Sequence, residues 1–347
     1  MKVLLILNHA PDYRETFLRQ LGQHVELTVA AQPCEPDNLI PPESRESYSY
    51  IEIPPRKFLG LTWQSGIGKR LNLHEFDIIC CNFNPRLAPW LIRFLASVRL
   101  RKKWIWWGKI LGSHENPILN FVRRLTLPRA ACCLVYSKPV ANQIIRQYKV
   151  RHAISFNNTE VCEAEIQPPR FDKHSELRLL FVGRNQPRKR LDRLVELAAR
   201  RPDTYVRLVG PGMEQLEIPQ ELNASGKITT PGRCVGPDLI PHFDWADLVV
   251  CPGHAGLLVT NAARFGKGIA LDSDSQHAPE YWLATEAEQP FIPFGDHKAT
   301  DAFLDEIREH RELLEKWAAK LQKITREKYT VEHMVQVHCQ AFSKVNS

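Results

Sequence analysis

Short apolar runs alternate with amphipathic ones along this chain, and they do so twice. In the first half Val3 to Leu7, the helical Arg14 to Leu21, Val25 to Ala30, Asp77 to Asn82, Leu87 to Val98, Trp104 to Trp107 and Cys132 to Ser137 follow one another. This is the pattern of βαβ units closing into a parallel sheet. Gln32 to Pro55 is polar and rich in proline, and is expected to hold loops and at most one short strand, Tyr48 to Ile53. Ile154 to Asn157 is expected to close this sheet, and the polar Glu163 to Glu176, with its Pro168-Pro169 pair, reads as a linker. The alternation then restarts with Leu177 to Val182, a helix from Arg188, Tyr205 to Val209, Lys227 to Thr229, Asp247 to Cys251, a helix near Gly256 to Phe265, and Ile269 to Leu271. A charged helical stretch, Ala302 to Lys323, and a terminal helix from Val331 to Phe342 complete the chain. The 347 residues exceed one ordinary core. The expected fold class is therefore α/β, with two Rossmann-like domains (1–165 and 177–328), a cleft between them, and 329–347 returning as a helix towards the first domain.

Composition narrows the partners. Hydrophobic residues make up 44% of the chain and charged ones 24%, and no apolar run approaches the roughly 20 residues of a membrane span. The opening MKVLLILNHAPDYR lacks a small-residue cleavage site and reads as a first core strand, so a cytoplasmic protein is expected. Among 9 cysteines, Cys80, Cys81, Cys132 and Cys133 fall as adjacent pairs inside apolar runs, as small core residues do. A net charge of +7 favours anionic partners. The charge is scattered and no reading motif accompanies it, which argues against nucleic acid. Ile92 to Trp107, IRFLASVRLRKKWIWW, mixes basic residues with three tryptophans, so an anionic membrane surface is a candidate partner. The competing reading makes Trp104 to Trp107 a core strand and the basic run a solvated turn.

Two stretches carry candidate chemistry. Leu177 to Lys189, LRLLFVGRNQPRK, reads as a buried strand, a turn at Gly183, and a loop that delivers Arg184 and Lys189 towards a helix start. Ligands of open α/β sheets bind beyond the carboxyl ends of strands, and a planar guanidinium fork beside an ammonium suits a diphosphate. Asp247 to Glu280 contains a strand ending at Cys251, then Pro252, Gly253, His254, Gly256 and Leu257, whose backbone amides precede a helix carrying Asn261. A second strand ends near Asp272 and is followed by His277 and Glu280. Asp272-Ser273-Asp274 is read as a strand-closing turn rather than a metal site, and no metal or other cofactor is expected. Gly66 and Gly68 before Lys69 fail the spacing of a phosphate loop.

These residues bear a resemblance. GRNQPRKRLDRLVELA resembles the glycine, arginine and lysine signature of retaining glycosyltransferase family 4, whose fold is GT-B. PGHAGLLVTNAARFGKGIA is similar to that family's helix-start segment, HAPEYWL to the H-x-P-E version found in bacterial polysaccharide biosynthesis, and REKYTVEHMVQVHCQAF to its closing helix. PDYRETFLRQL, WWGKILG and SFNNTE match more loosely. The resemblance implies transfer of a sugar from a nucleotide-sugar donor, with retention, to a glycan, glycolipid or lipid-linked acceptor. On it, Arg184 and Lys189 stabilise the departing diphosphate with the Gly256 and Leu257 amides. Gly183, His254, Asn261, His277 and Glu280 hold nucleotide or sugar, and Lys109 faces the acceptor, with His114 as its substitute. Gly253 and Asn261 stand where the family commonly has a pair of glutamates. The alternatives are a catalytically silent GT-B partner that binds nucleotide or scaffolds, and a GT-B sugar-nucleotide epimerase.

Overall fold

The computed structural model describes residues 1–34, 39–58, 61–64, 71–111, 116–172 and 174–347. His114 and the Gly66 to Lys69 stretch lie outside these. The chain divides into two compact units, residues 1–160 with 331–347, and residues 161–330.

Unit 1 is built on strands β1 (Lys2–His9), β2 (Glu26–Gln32), β3 (Ser49–Glu52), β4 (Pro55–Phe58), β5 (Leu61–Gln64), β6 (Ile78–Asn82), β7 (Trp104–Gly108), β8 (Cys132–Val135) and β9 (Ala153–Ser155). Seven of them form one sheet in the order β3-β2-β1-β6-β7-β8-β9, every pair parallel. Parallel strands are covered on both faces and so read as unbroken apolar runs rather than alternating ones. Val3 to Ile6, Ile78 to Cys81 and Trp104 to Trp107 are all buried accordingly. The tryptophans of β7 are thus core residues, and the reading that laid them on a membrane surface is corrected. β4 and β5 pair antiparallel; they follow the polar Gln32 to Pro55 interval, and the alternation did not announce them. The run Leu87 to Val98 forms two helices, Ala88–Ala96 and Val98–Lys102, because Ser97 takes an extended conformation and its hydroxyl caps the second at Leu100.

Unit 2 carries β10 (Leu177–Val182), β11 (Thr204–Val209), β12 (Ile228–Gly232), β13 (Leu248–Cys251), β14 (Ile269–Asp272) and β15 (Phe291–Ile292) in the order β12-β11-β10-β13-β14-β15, again all parallel. The helix expected from Arg188 begins at Asp192, since Pro187 to Lys189 form a 3₁₀ turn and Arg190 sits at φ 52°. The helix expected near Gly256 is Leu258–Arg264.

The presumed linker is bound. The Gln167 N–H donates to the Arg264 carbonyl at 2.8 Å, Gln322 Nε2 donates to the Gln167 carbonyl at 2.5 Å, and Arg264 pairs with Glu165 at 3.2 Å. A Cβ on Gly266 would lie 2.7 Å from Pro169 Cα, so the proline pair presses on the body of unit 2. Polar composition hid this, because several of the contacts use backbone groups of the segment, which composition does not register.

Candidate functional site

Three strand exits of unit 2 converge. β10 leads into Gly183 and Arg184, β13 into Pro252 to Leu257, and β14 into Ser273 to Glu280. The Gly183 N–H donates to the Val209 carbonyl at 2.9 Å, and a Cβ on Gly210, whose φ is +141°, would fall 1.9 Å from the Gly183 carbonyl oxygen. The exits of β10 and β11 therefore touch through backbone, with the Asn185 side chain donating to the Gly212 carbonyl at 2.9 Å, and the Arg184 side chain is left exposed at their edge.

Lys189 is the point where the loops are tied. Its Nζ donates to the His254 carbonyl at 2.5 Å, and the His254 N–H donates to the Arg188 carbonyl at 2.8 Å. Burial pushes the Lys189 ammonium below its ordinary pKa; Cys251 and Glu280 act in the opposite direction, while Arg188 and Arg184 add to the lowering. Lys189 thus sits among the cationic Arg184 and Arg188, with the Glu280 carboxylate acting on it from the opposite side of the balance. Gly253 is part of the tie, for a Cβ there would lie 2.4 Å from the Arg188 carbonyl oxygen and 2.8 Å from that of Lys189.

The β13 and β14 exits are zipped together. His254 Nδ1 donates to the Gln276 carbonyl at 2.5 Å and the Ala278 N–H to the Ala255 carbonyl at 2.9 Å. His277 Nδ1 accepts from the Ala255 N–H at 3.1 Å, which puts the ring proton on Nε2, and Nε2 donates to the Asp272 carbonyl at 2.8 Å. Both nitrogens are thereby used within the protein, and burial lowers the pKa and keeps the ring neutral. His277 positions the loop through both ring nitrogens. Glu280 is buried beside the helix Tyr281–Glu286, and Asn261 is half-buried on Leu258–Arg264. Gly256 meets only Ala278 Cβ, at 3.7 Å for an added Cβ, so nothing steric demands glycine there.

Sequence reasoning missed the anchor beneath these loops. Arg193 NH1 donates to the Pro252 carbonyl at 2.8 Å and pairs with Asp272 at 2.9 Å. Asp272 is fully buried and also accepts from the Phe294 N–H at 3.0 Å and the Ser275 hydroxyl at 2.5 Å. Its carboxylate is thus committed to holding the turn. Arg193 stood in a run of basic residues with nothing to mark it, and its partners are 59 and 79 residues away. Among the described residues no group of three or more His, Cys, Asp or Glu is arranged to hold a metal.

In unit 1, Lys109 is exposed just past β7, after Gly108 at φ +105°. A Cβ on Gly108 would lie 2.8 Å from Asn82 Nδ2, so β6 and β7 also exit in close contact.

Residues 163–324 match the family model for glycosyl transferases group 1. Solved structures resemble the chain over almost its whole length. A glycosyltransferase from Rickettsia africae ESF-5 superposes with a TM-score of 0.72 at 11% identity, covering 99% of this chain and 98% of that one. The sucrose-phosphate synthase (tll1590) of Thermosynechococcus elongatus gives 0.68 at 15% identity, with 99% and 100% covered. Anabaena Alr3699/HepE, solved in complex with UDP and glucose, gives 0.66 at 14% identity, with 99% of each chain covered. At these identities the likeness establishes the fold, which is GT-B. No curated protein sequence matches the chain.

Proposed function

We propose that this protein is a retaining glycosyltransferase that moves a sugar from a nucleotide-sugar donor to a glycan, glycolipid or lipid-linked acceptor, without a metal. Departure of the nucleotide diphosphate develops negative charge, and fixed cationic donors placed at that charge lower the barrier. Arg184 and Lys189 take this role. The observation that carries the reading is the Lys189 tie, where loops in the segment matching glycosyl transferases group 1 meet and an exposed arginine, a half-buried lysine and a buried glutamate lie on them. Glu280 and Asn261 contact nucleotide or sugar hydroxyls in this reading, with His254 and the amides around Gly256 and Leu257 completing the donor side. Lys109 serves the acceptor. The complex of Anabaena Alr3699/HepE with UDP and glucose makes UDP the first nucleotide to try.

The test is a thermal-shift series with UDP, GDP, dTDP, CMP and ADP. One nucleotide is expected to raise the melting temperature of the wild type and to lose that effect in Arg184→Ala, since a ligand that binds only the folded state must stabilise it. No shift with any of them at millimolar concentration would sink the reading. A silent nucleotide-binding partner is the second reading. Gly253 favours it, because the backbone of Arg188 and Lys189 leaves no room for the carboxylate the family commonly has there. Donor hydrolysis or transfer, followed by the anomeric coupling of the product, separates the two.

An anionic membrane surface belongs to the same proposal. Arg101, Lys102, Arg129, Arg151 and His152 line one groove of unit 1 with no acidic residue among them, and Val98 beside them is exposed.

A further inference from the structure

Arg14 lies in the 3₁₀ turn Asp12–Arg14 that follows β1, and only 7% of its surface is exposed. Its partners are neutral. NH1 donates to Asn158 Oδ1 at 2.6 Å and NH2 to the Tyr136 hydroxyl at 3.2 Å, while the guanidinium carbon sits 5.2 Å from the centre of the Trp107 ring and 5.5 Å from that of Tyr13. Among the described residues no carboxylate pairs with it. A buried guanidinium holds its charge at a solvation cost that hydrogen bonds and ring faces offset only in part, and an anion is the complement it lacks. The equally buried Arg123 is spent on the Ile110 carbonyl and Asn120. Arg14, by contrast, lines a cavity.

That cavity has a volume of about 180 Å³ and is walled by Asn8, His9, Tyr13, Asn82, Trp107 and Tyr136 with Arg14. Its position is telling. Chain order runs from β1 outward to β2 and β3 on one side and then returns to β6 on the other, so β1 and β6 bracket the switch point of the sheet. Open α/β sheets bind ligands there, beyond the carboxyl ends of the strands. Asn8 and His9 end β1, Asn82 ends β6, and Trp107 lies one residue before the end of β7. Amides pair with hydroxyls, aromatic rings cover the C–H faces of a sugar, and the volume is that of roughly six waters, or about one hexose.

We propose that Arg14 anchors the anionic group, carboxylate or phosphate, of a sugar-sized ligand bound within unit 1. If the glycosyl-transfer reading holds, that ligand is the acceptor end; the anion site itself does not depend on that reading. Asn82 and Asn8 then read hydroxyls, and Tyr136 and Trp107 hold the guanidinium flat.

The experiment is thermal shift with glucuronate, glucose 6-phosphate and glucose as probes. Glucuronate or glucose 6-phosphate is expected to raise the melting temperature by about 2–4 °C at saturation, glucose not at all, and the one that acts tells carboxylate from phosphate. The shift is expected to vanish in Arg14→Gln and to survive in Arg184→Ala. Asn158→Asp provides an independent arm: it places a carboxylate against NH1, so it should stabilise the unliganded protein and abolish the response. No response in the wild type, a response that persists in Arg14→Gln or Asn158→Asp, or one lost in Arg184→Ala instead, overturns the inference. A nucleotide shift without an acid-sugar shift would refute the Arg14 site while leaving the donor reading intact, and the reverse would refute the donor reading alone.

Discussion

At the scale of residues, Gly253 shows how a position can look like a loss and be a requirement. A comparison of motifs sees a missing carboxylate; the structure sees an added Cβ 2.4 Å from the Arg188 carbonyl oxygen. Backbone so close has no flexible end to move aside. Gly253→Glu is therefore expected to destabilise the protein by roughly 2–4 kcal/mol, and Asn261→Glu, on a half-buried helical position, by less than about 1 kcal/mol. Urea unfolding of the two variants checks this, and equal stability for Gly253→Glu and wild type would remove the steric account. Arg184 and Lys189 were legible in the sequence because a strand, a glycine and a helix start predict where side chains leave a sheet. Arg193 and Asp272 were not, since their pairing follows from which strands lie side by side.

Among elements, the helix Val331–Asn346 is the most consequential for unit 1. It carries His338, fully buried, whose Nδ1 donates to the Met334 carbonyl at 2.7 Å and whose Nε2 accepts from Trp107 Nε1 at 2.8 Å. Phe17 and Phe156 lie against the ring with centroids at 4.8 Å. Burial, with Arg14 adding to it against the hydrogen bond to Met334, pushes the imidazole down to about 4 from its ordinary 6.5. Between those values the unfolded chain takes up a proton that the folded protein refuses. Stability therefore declines as pH falls from 6.5 towards 4, and His338 accounts for roughly 2 kcal/mol of the loss by pH 5. Urea unfolding at pH 7.5 and pH 5 should show a smaller difference in His338→Gln, whose amide oxygen can still accept from Trp107. An identical pH dependence in the two proteins would count against a neutral buried imidazole.

For the whole molecule, the charge distribution matters more than its total. The basic groove of unit 1 gathers Arg101, Lys102, Arg129 and Arg151, whereas the tryptophans next to it in sequence are buried in β7. Lys103, from the same basic run, is turned inward and donates to the Phe76 carbonyl. Binding to anionic vesicles should thus be electrostatic rather than interfacial. Arg101→Glu, Lys102→Glu and Arg129→Glu together are expected to weaken it about a hundredfold or more, at roughly 1 kcal/mol for each basic residue, and 0.5 M salt should do likewise. Cosedimentation with phosphatidylserine vesicles reads this directly; binding indifferent to both changes would exclude the groove.

Two sheets of parallel strands, most of their strands and the loop that bears Arg184 and Lys189 were determined by local pattern, because hydrophobic periodicity and glycine placement act over a few residues. Tertiary structure decided the rest. It bound the Glu165 to Pro169 part of the expected linker to unit 2, gave His277 a positioning role, joined Arg193 to Asp272, and set Arg14 among aromatic rings at the switch point between β1 and β6. Each of these depends on which distant segments are neighbours. Strand order determines that, and periodicity along the chain carries no information about it.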